Sequence, residues 1–188
     1  MRAVPRHEFV PEPQRARAYA DHAMPIGLGQ TISQPFMVAV MTQHLLGPRR
    51  GKLGSVLEVG GGSGYQAAVL SHVAERVVTV ERIPDLADRA RETLSREGYD
   101  GVVVVTGDGT IGLEEHAPFD GILVAAAAPS VPPSLKEQLA LGGRLVVPVG
   151  DRGLQELIIV QRTLGGIHEE REERCVFVPL IGEEGWGG

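Results

Sequence analysis

A glycine-rich turn between acidic residues is the feature of this sequence best suited to chemistry. The turn Gly60–Gly64 ends an apolar run that contains Glu58, and Glu81 stands at the end of the next apolar run. Glycines let the backbone approach a ligand closely, and a helix beginning behind the turn presents unpaired N–H groups. A carboxylate at Glu81 can accept hydrogen bonds from ribose hydroxyls. The pattern predicts a site for a nucleoside-bearing cofactor.

A third acidic position supports the same site. Asp108 and Gly109 follow the β-type run Val102–Thr106, and a carboxylate there can accept a hydrogen bond from the adenine amino group. Ligands of open α/β sheets bind at the carboxyl ends of the strands. We therefore expect Glu81 and Asp108 to lie at one edge of a sheet.

The details of the turn select among nucleoside cofactors. It has no lysine, so it is not a phosphate-cradling loop. Tyr65 occupies the position where both the dinucleotide fingerprint and the nucleophile elbow require glycine. The remaining pattern, Gly60-x-Gly62-x-Gly64, needs no pyrophosphate and favours S-adenosylmethionine over a dinucleotide.

Alternating β-type and helical runs position these residues. The predicted strands are Ser55–Val59, Arg76–Val80, Val102–Thr106, Gly121–Ala125, Arg144–Val149, Leu154–Gln161 and a late one at Cys175–Pro179. The predicted helices between them are Tyr65–Val73, Pro84–Glu97 and Pro133–Leu141. Such alternation predicts an α/β fold with a doubly wound, mostly parallel, Rossmann-like sheet.

The two ends of the chain depart from this alternation. Gly165 and Gly166 join two β-type runs without a helix, which predicts an antiparallel hairpin at the sheet edge. Ser33 is predicted to be the N-cap of a helix with Pro35 in its first turn. We expect one domain over 1–188, with a substrate-facing segment (1–54), a cofactor-binding core (55–150) and C-terminal edge strands (151–188).

Composition narrows the function classes. A net charge of −6 is the wrong sign for a general nucleic-acid binder, and the chain has no apolar run of the length that a membrane-spanning helix needs. The single cysteine, Cys175, cannot form an internal disulfide, which fits a reducing cytoplasm. The histidines show no metal-ligand spacing, so we expect no metal, and we expect a monomer.

With these residues in hand, the chain resembles the protein-L-isoaspartate (D-aspartate) O-methyltransferases from about Val4 to Gly182. The glycine turn and its acids are common to many methyltransferases, whereas two N-terminal motifs are more specific. The motifs are Val4–Pro11, Gly29–Pro35, Val56–Gln66, Val80–Arg82, Gly107–Gly109, Ala117–Asp120, Gly142–Val146, Pro148–Gly150 and Phe177–Leu180.

The resemblance implies methylation of the carboxylate of L-isoaspartyl and D-aspartyl residues in damaged proteins, which are then the partners. It places Ser33 at the reacting centre, with Thr31 and Ile32 lining the substrate channel. It implies that the methionine part of the cofactor is held by Gly60, Gly62, Ser63 and Gly64. It implies that Glu81 binds the ribose and that Asp108 with Gly109 binds the adenine. We add Glu58 and Arg82 to the predicted cofactor contacts.

Two departures from the family pattern accompany this resemblance. Gly61 replaces a more usual threonine or serine, and Ala125 stands where threonine is common. The family's usual N-terminal helical segment before Val4 is missing, which raises the possibility of a truncated chain.

A carboxylate acceptor is ionised at pH 7, since its pKa is about 4, so no general base is required. The Ser33 hydroxyl can orient that carboxylate, or it can simply cap the helix. Three other functions remain open: methylation of another carboxylate or a small molecule, nicotinamide-dependent oxidoreduction, and non-catalytic sensing of S-adenosylmethionine.

Overall fold

In the computed structural model, which describes residues 1–187, a seven-stranded sheet forms the centre of the chain. The strands are β1 Met24–Gly27, β2 Gln30–Ile32, β3 Leu53–Val59, β4 Ala74–Glu81, β5 Val102–Thr106, β6 Phe119–Val124, β7 Leu139–Gly150, β8 Gln155–Thr163 and β9 Gly166–Cys175. The helices are α1 Pro35–Leu46, α2 Tyr65–Ser71, α3 Pro84–Arg96 and α4 Pro133–Glu137.

The strand order β5-β4-β3-β6-β7-β8-β9 confirms the predicted fold class. The five strands β5, β4, β3, β6 and β7 pair in parallel. Strand β8 pairs antiparallel with β7, and β9 pairs antiparallel with β8 at the edge. The hairpin predicted around Gly165 and Gly166 is the β8–β9 connection. The order reverses between β3 and β6, and such a switch point opens a crevice at the carboxyl edge of the sheet.

The central strands of the sheet are buried on both faces, whereas β9 at the edge is largely exposed, and the two faces are covered by different elements. Helices α1, α2 and α3 and the N-terminal segment pack on one face, in a core that includes Leu45, Tyr65 and Leu94. Helix α4 and the C-terminal segment cover the other face, around Leu135 and Leu180. None of the helices within residues 1–187 is long and apolar enough to cross a membrane.

The N-terminal segment reaches the crevice through short elements. Two 3₁₀ helices, Arg6–Phe9 and Glu12–Arg17, precede the two-stranded β1–β2 sheet. The prolines of this region prevent longer regular structure, as their spacing predicts. Thr31 in strand β2 and Ser33 just after it lie at the edge of the main sheet, directly before α1.

The predicted N-cap of α1 is wrong. Gln34 occupies that position and its side chain makes no capping hydrogen bond. Instead, Asp21 lies across the start of the helix: its Oδ1 accepts a hydrogen bond from Phe36 N at 2.9 Å and its Oδ2 accepts one from Gln34 Nε2 at 3.0 Å. The hydroxyl of Ser33 is therefore not used as a cap.

Two predicted elements differ from the structure. Helix α4 ends at Glu137 rather than Leu141, because Leu139 already pairs with Phe119 of β6. The late strand at Cys175–Pro179 does not form, since β9 ends at Cys175 and the rest of that predicted segment makes one isolated bridge, from Pro179 to Ala127, within residues 1–187. The charged run 168–174 is the body of strand β9.

Candidate functional site

Three cavities meet at the carboxyl edge of the sheet, and Thr31 and Ala125 line all three. The outer cavity, about 370 Å³, lies between Ser33 and the segment that follows β9. The nucleoside pocket, about 100 Å³, lies against Glu81 and Gly109. The inner cavity, about 30 Å³, lies between Ser33 and the glycine turn. A group held in the nucleoside pocket is thus next to one held in the outer cavity.

Glu81 is fixed at the wall of the nucleoside pocket by backbone donors. Its Oε2 accepts a hydrogen bond from Gly62 N at 2.8 Å, and its Oε1 accepts one from Ile83 N at 2.9 Å. The side chain is buried, and each oxygen retains a lone pair for a further donor. The neighbouring Arg82 lines the same pocket but is exposed. This arrangement suits a pair of ribose hydroxyls.

The positions of the turn require glycine for different structural reasons. Gly60 and Gly62 have positive φ angles of 91° and 53° and line the pockets directly. Gly64, with φ of 84°, lines none of these cavities; a Cβ there would lie 3.1 Å from Leu94 of α3. Ser63 lines the inner cavity, and its Oγ accepts from Tyr65 N at 3.4 Å.

Glu58 is a fully buried carboxylate at the wall of the inner cavity. Neither of its oxygens has a hydrogen-bond partner within residues 1–187, and burial raises its pKa to about 8. The nearby Thr79 hydroxyl lowers this pKa slightly, and the charge of Glu81 raises it. A buried carboxyl group without partners is costly. A positively charged ligand group in the inner cavity would therefore be stabilised by the ionised form of Glu58.

Asp108 does not face the nucleoside pocket through its carboxylate. Its oxygens accept hydrogen bonds from Glu183 N and from the backbone N and hydroxyl of Thr110. Desolvation raises the pKa of Asp108, but these hydrogen bonds outweigh it and hold the pKa below its usual value. Asp108 lines the neighbouring cavity, while Gly109 lines the pocket and packs so closely that a Cβ would lie 2.6 Å from Val59.

Ser33 lies where the outer and inner cavities join, and its hydroxyl has no hydrogen-bond partner within the described chain. Its carbonyl oxygen accepts a 2.7 Å hydrogen bond from Nη2 of Arg6. Ile32 is buried and lines the inner cavity alone, whereas Thr31 is exposed at the junction. The structure therefore brings Thr31, Ile32 and Ser33 together with the glycine turn.

Sequence reasoning missed Arg6 as a contributor to the site. Its side chain is 1% exposed; Nε donates to Ala18 O at 2.7 Å, and the guanidinium lies 4.8 Å from the centre of the Tyr65 ring. Nη1 has no partner within residues 1–187. Its only sequence signal was its place in the motif Val4–Pro11, because arginine is normally exposed and burial cannot be read from one residue.

Cys175 contributes no nucleophile to the outer cavity that it lines. Burial, followed by the charge of Glu173, raises the pKa of its thiol to about 11. The thiol is consequently protonated at neutral pH, and the thiolate is the reactive form. The chemistry of the site rests on hydroxyl, carboxylate and guanidinium groups.

The sheet topology, the three adjoining cavities at the carboxyl edge and the buried acids Glu58 and Glu81 define a class I methyltransferase. The family model for protein-L-isoaspartate(D-aspartate) O-methyltransferase matches residues 1–185. The chain belongs to that family.

Individual relatives agree with this assignment. The chain is 59% identical to the protein-L-isoaspartate O-methyltransferase of Methanopyrus kandleri over 99% of its length and 83% of the relative's, and 54% identical to that of Methanospirillum hungatei over 99% and 85%.

Solved structures show the same similarity. One protein-L-isoaspartate O-methyltransferase superposes with a TM-score of 0.86 at 29% identity, covering 97% of this chain and 60% of that one. A second, described as the Plasmodium falciparum enzyme in complex with S-adenosyl-L-homocysteine, gives 0.79 at 27% identity, over 95% and 87%. These similarities favour methyl transfer over nicotinamide-dependent oxidoreduction.

Proposed function

We propose that this chain transfers a methyl group from S-adenosylmethionine to the carboxylate of L-isoaspartyl and D-aspartyl residues in damaged proteins. One observation carries the proposal: the unpartnered hydroxyl of Ser33 lies at the junction of a substrate-sized outer cavity and the cavity beside the glycine turn. An acceptor bound in the outer cavity meets both that hydroxyl and the cofactor side of the site.

The residues present fit S-adenosylmethionine. Glu81 offers lone pairs to the ribose, and the unpartnered carboxylate of Glu58 offers a counter-charge to the amino-acid end. Gly60 and Gly62 leave space that side chains would fill. When bound, the cofactor supplies an electrophilic methyl group on a sulfonium. We propose that Arg82, Ser63 and Gly109 line this site. We propose that Gly64 supports it through close packing on Leu94, and Asp108 through its hydrogen bonds with Thr110 and Glu183.

The chain's own residues position the acceptor. An isoaspartyl carboxylate arrives ionised, so no proton has to be removed. The Ser33 hydroxyl donates a hydrogen bond to one carboxylate oxygen and leaves the other free to attack. The bound cofactor would supply the methyl group to that free oxygen, and the carboxylate would become a neutral ester. Alignment alone can contribute roughly 7–11 kcal/mol in favourable systems.

Thr31 and Ile32 shape the path to that oxygen. Thr31 is exposed at the junction of the three cavities, so we propose that it contacts the substrate directly. Ile32 is buried behind it and fixes strand β2.

We further propose that the protein acts as a monomer in the cytoplasm, on peptides and proteins rather than on nucleic acid or at a membrane.

A matched pair of peptides tests the proposed function. One peptide carries an L-isoaspartyl residue and the other a normal L-aspartyl residue in the same sequence. Transfer of label from S-adenosylmethionine to the isoaspartyl peptide alone is expected. Equal labelling, or no labelling of either, would contradict the proposal; a small carboxylic acid added in parallel tests the more general methyltransferase alternative.

A further inference from the structure

The outer cavity has one charged wall. Of the residues lining this cavity, all within the described chain, Arg174 is the only one with a charged side chain. The others are apolar or neutral, among them Gln34, Met37 and Phe177. The protein as a whole carries a net charge of −6. A guanidinium on this wall therefore opposes the overall charge at the place where the substrate enters.

Within residues 1–187, the Arg174 guanidinium has neither a hydrogen bond nor an ion pair. Glu156 lies opposite it in the β8–β9 register, but its carboxylate accepts a 2.7 Å hydrogen bond from Arg171 Nη1. The adjacent Glu173 pairs with His44 at 3.2 Å. Glu156 and Glu173 are thus paired with Arg171 and His44, and Arg174 retains its full donor capacity.

The position of Arg174 separates it from the reacting carboxylate. Ser33 lies where the outer and inner cavities join, whereas Arg174 lines only the outer cavity. Because the acceptor has to reach the inner end, a group at Arg174 belongs to another part of the substrate. Arginine prefers carboxylates because its planar donors match their two oxygens.

We infer that Arg174 is a specificity-determining residue that binds a second carboxylate, on the residue next to the damaged one, and so favours acidic flanking sequence. The inference rests on the proposed function, because it concerns the substrate of that site. The carboxylate is either an acidic side chain or the carboxyl terminus of a peptide that ends just after the isoaspartyl residue.

The test uses isoaspartyl peptides that differ only in the flanking residue, which is Glu, Gln or Lys on either side. Two further peptides end at the residue that follows the isoaspartyl residue, one as a free acid and one as an amide. Comparing them distinguishes a terminal carboxylate from a side-chain carboxylate. At low salt, kcat/KM for the better-placed Glu peptide is expected to exceed that for its Gln counterpart roughly threefold, as for a partly exposed ion pair.

Variants assign that preference to Arg174. Arg174→Gln should abolish it without affecting the Gln peptide, Arg174→Lys should retain part of it, and Arg174→Glu should shift it toward the Lys peptide. Arg50→Gln is the control: Arg50 is exposed and does not line the cavity, and its replacement leaves the Arg171–Glu156 pair intact. Unchanged melting temperature and S-adenosylhomocysteine affinity show that each variant is folded.

Several results would overturn the inference. If Arg174→Gln lowers kcat/KM equally for every peptide, Arg174 acts on the acceptor itself or on folding. If a preference for acidic flanks is absent, or survives in Arg174→Gln, the residue does not determine specificity. A wild-type protein that methylates none of the peptides, including the neutral one, would refute the proposed function instead.

Discussion

The buried guanidinium of Arg6 and the carbonyl oxygen of Ser33 are joined by a hydrogen bond of 2.7 Å. Arg6 is 27 residues away in sequence and 1% exposed, and it has no salt bridge within residues 1–187. Its charge lies against the carbonyls of Ser33 and Ala18 and the face of Tyr65, and the negative charge of Asp21 stabilises it without forming an ion pair within residues 1–187. Arg6 therefore fixes the backbone of Ser33 and places positive charge behind the residue that we propose contacts the substrate carboxylate.

Replacing Arg6 by lysine tests this positioning role. Lysine keeps the charge but cannot donate to two carbonyls with the same planar geometry. We expect a loss of stability of about 2 kcal/mol, because buried acceptors lose a partner. We expect kcat on an isoaspartyl peptide to fall at least tenfold, with little change in S-adenosylhomocysteine affinity by calorimetry. Arg17→Gln, in the same segment but exposed, is the control; equal effects would contradict the role.

The Ser33→Ala variant separates catalysis from folding. Because Asp21, not Ser33, caps helix α1, the melting temperature should remain within about one degree. Loss of a hydrogen bond to a charged group costs about 1.5–3 kcal/mol, so kcat should fall roughly 10- to 150-fold. Ser71→Ala, which removes a hydroxyl bonded to Ala68 O on α2, should leave turnover unchanged. Full activity in Ser33→Ala would rule out the proposed contact.

Glu58 predicts a pH dependence of stability. Its pKa is about 8 in the folded protein against an ordinary value of 4.5, so between these values the folded state holds a proton that the unfolded state releases. The free energy of unfolding should therefore fall as pH rises through this window, by up to about 1.4 kcal/mol per pH unit from this group. Unfolding of the wild type and Glu58→Gln from pH 5 to 9 measures the difference. An identical slope in the variant would contradict it.

The same residue predicts proton release on ligand binding. An ammonium group in the inner cavity favours the carboxylate form of Glu58, so binding at pH 7 should release up to about one proton. Calorimetry of S-adenosylhomocysteine in phosphate and in Tris detects it as a buffer-dependent enthalpy. Adenosine, which lacks the ammonium, should show no such dependence, nor should Glu58→Gln with the full ligand. A buffer-dependent enthalpy in the variant would assign the proton to another group.

Gly61 and Thr79 are predicted to be energetically coupled. A Cβ at Gly61 would lie 2.6 Å from Thr79 Oγ1, which leaves no space for the threonine or serine more usual in this family. Gly61→Ala should therefore destabilise the protein, and Thr79→Ala should restore about 1 kcal/mol or more of that loss. Gly101→Ala, where nothing lies within 4 Å, is the control. Strict additivity in denaturant unfolding would refute the coupling.

Local patterns predicted the elements of the sheet but not where each of them ends. The β-branched run 77–80 is a buried part of β4 in the structure, because β-branched residues fit a strand that is covered on both faces. The C-terminal end of α4 was not predictable, since the pairing of Leu139 with Phe119 depends on a strand twenty residues away in sequence. Tertiary pairing overrides local helical preference in such cases.

The candidate site divides in the same way. Glu81 and the glycines that line the pockets were predictable, because their order along the chain places them at the carboxyl ends of parallel strands. The full set of contacts of Asp108 was not, because Thr110 is a local partner two residues away, whereas Glu183 meets Asp108 only after the C-terminal segment folds back.

The order of residues by itself determined the parallel sheet, the glycine turn and the presence of acids at one edge, because these depend on hydrophobic periodicity and backbone freedom that are local. Only the tertiary structure decided which polar groups lost water. Within residues 1–187 it left Glu58 and Arg6 buried without an ion pair and the hydroxyl of Ser33 without a hydrogen-bond partner. Burial depends on every element packed around a group, so no stretch of sequence near these residues contains it.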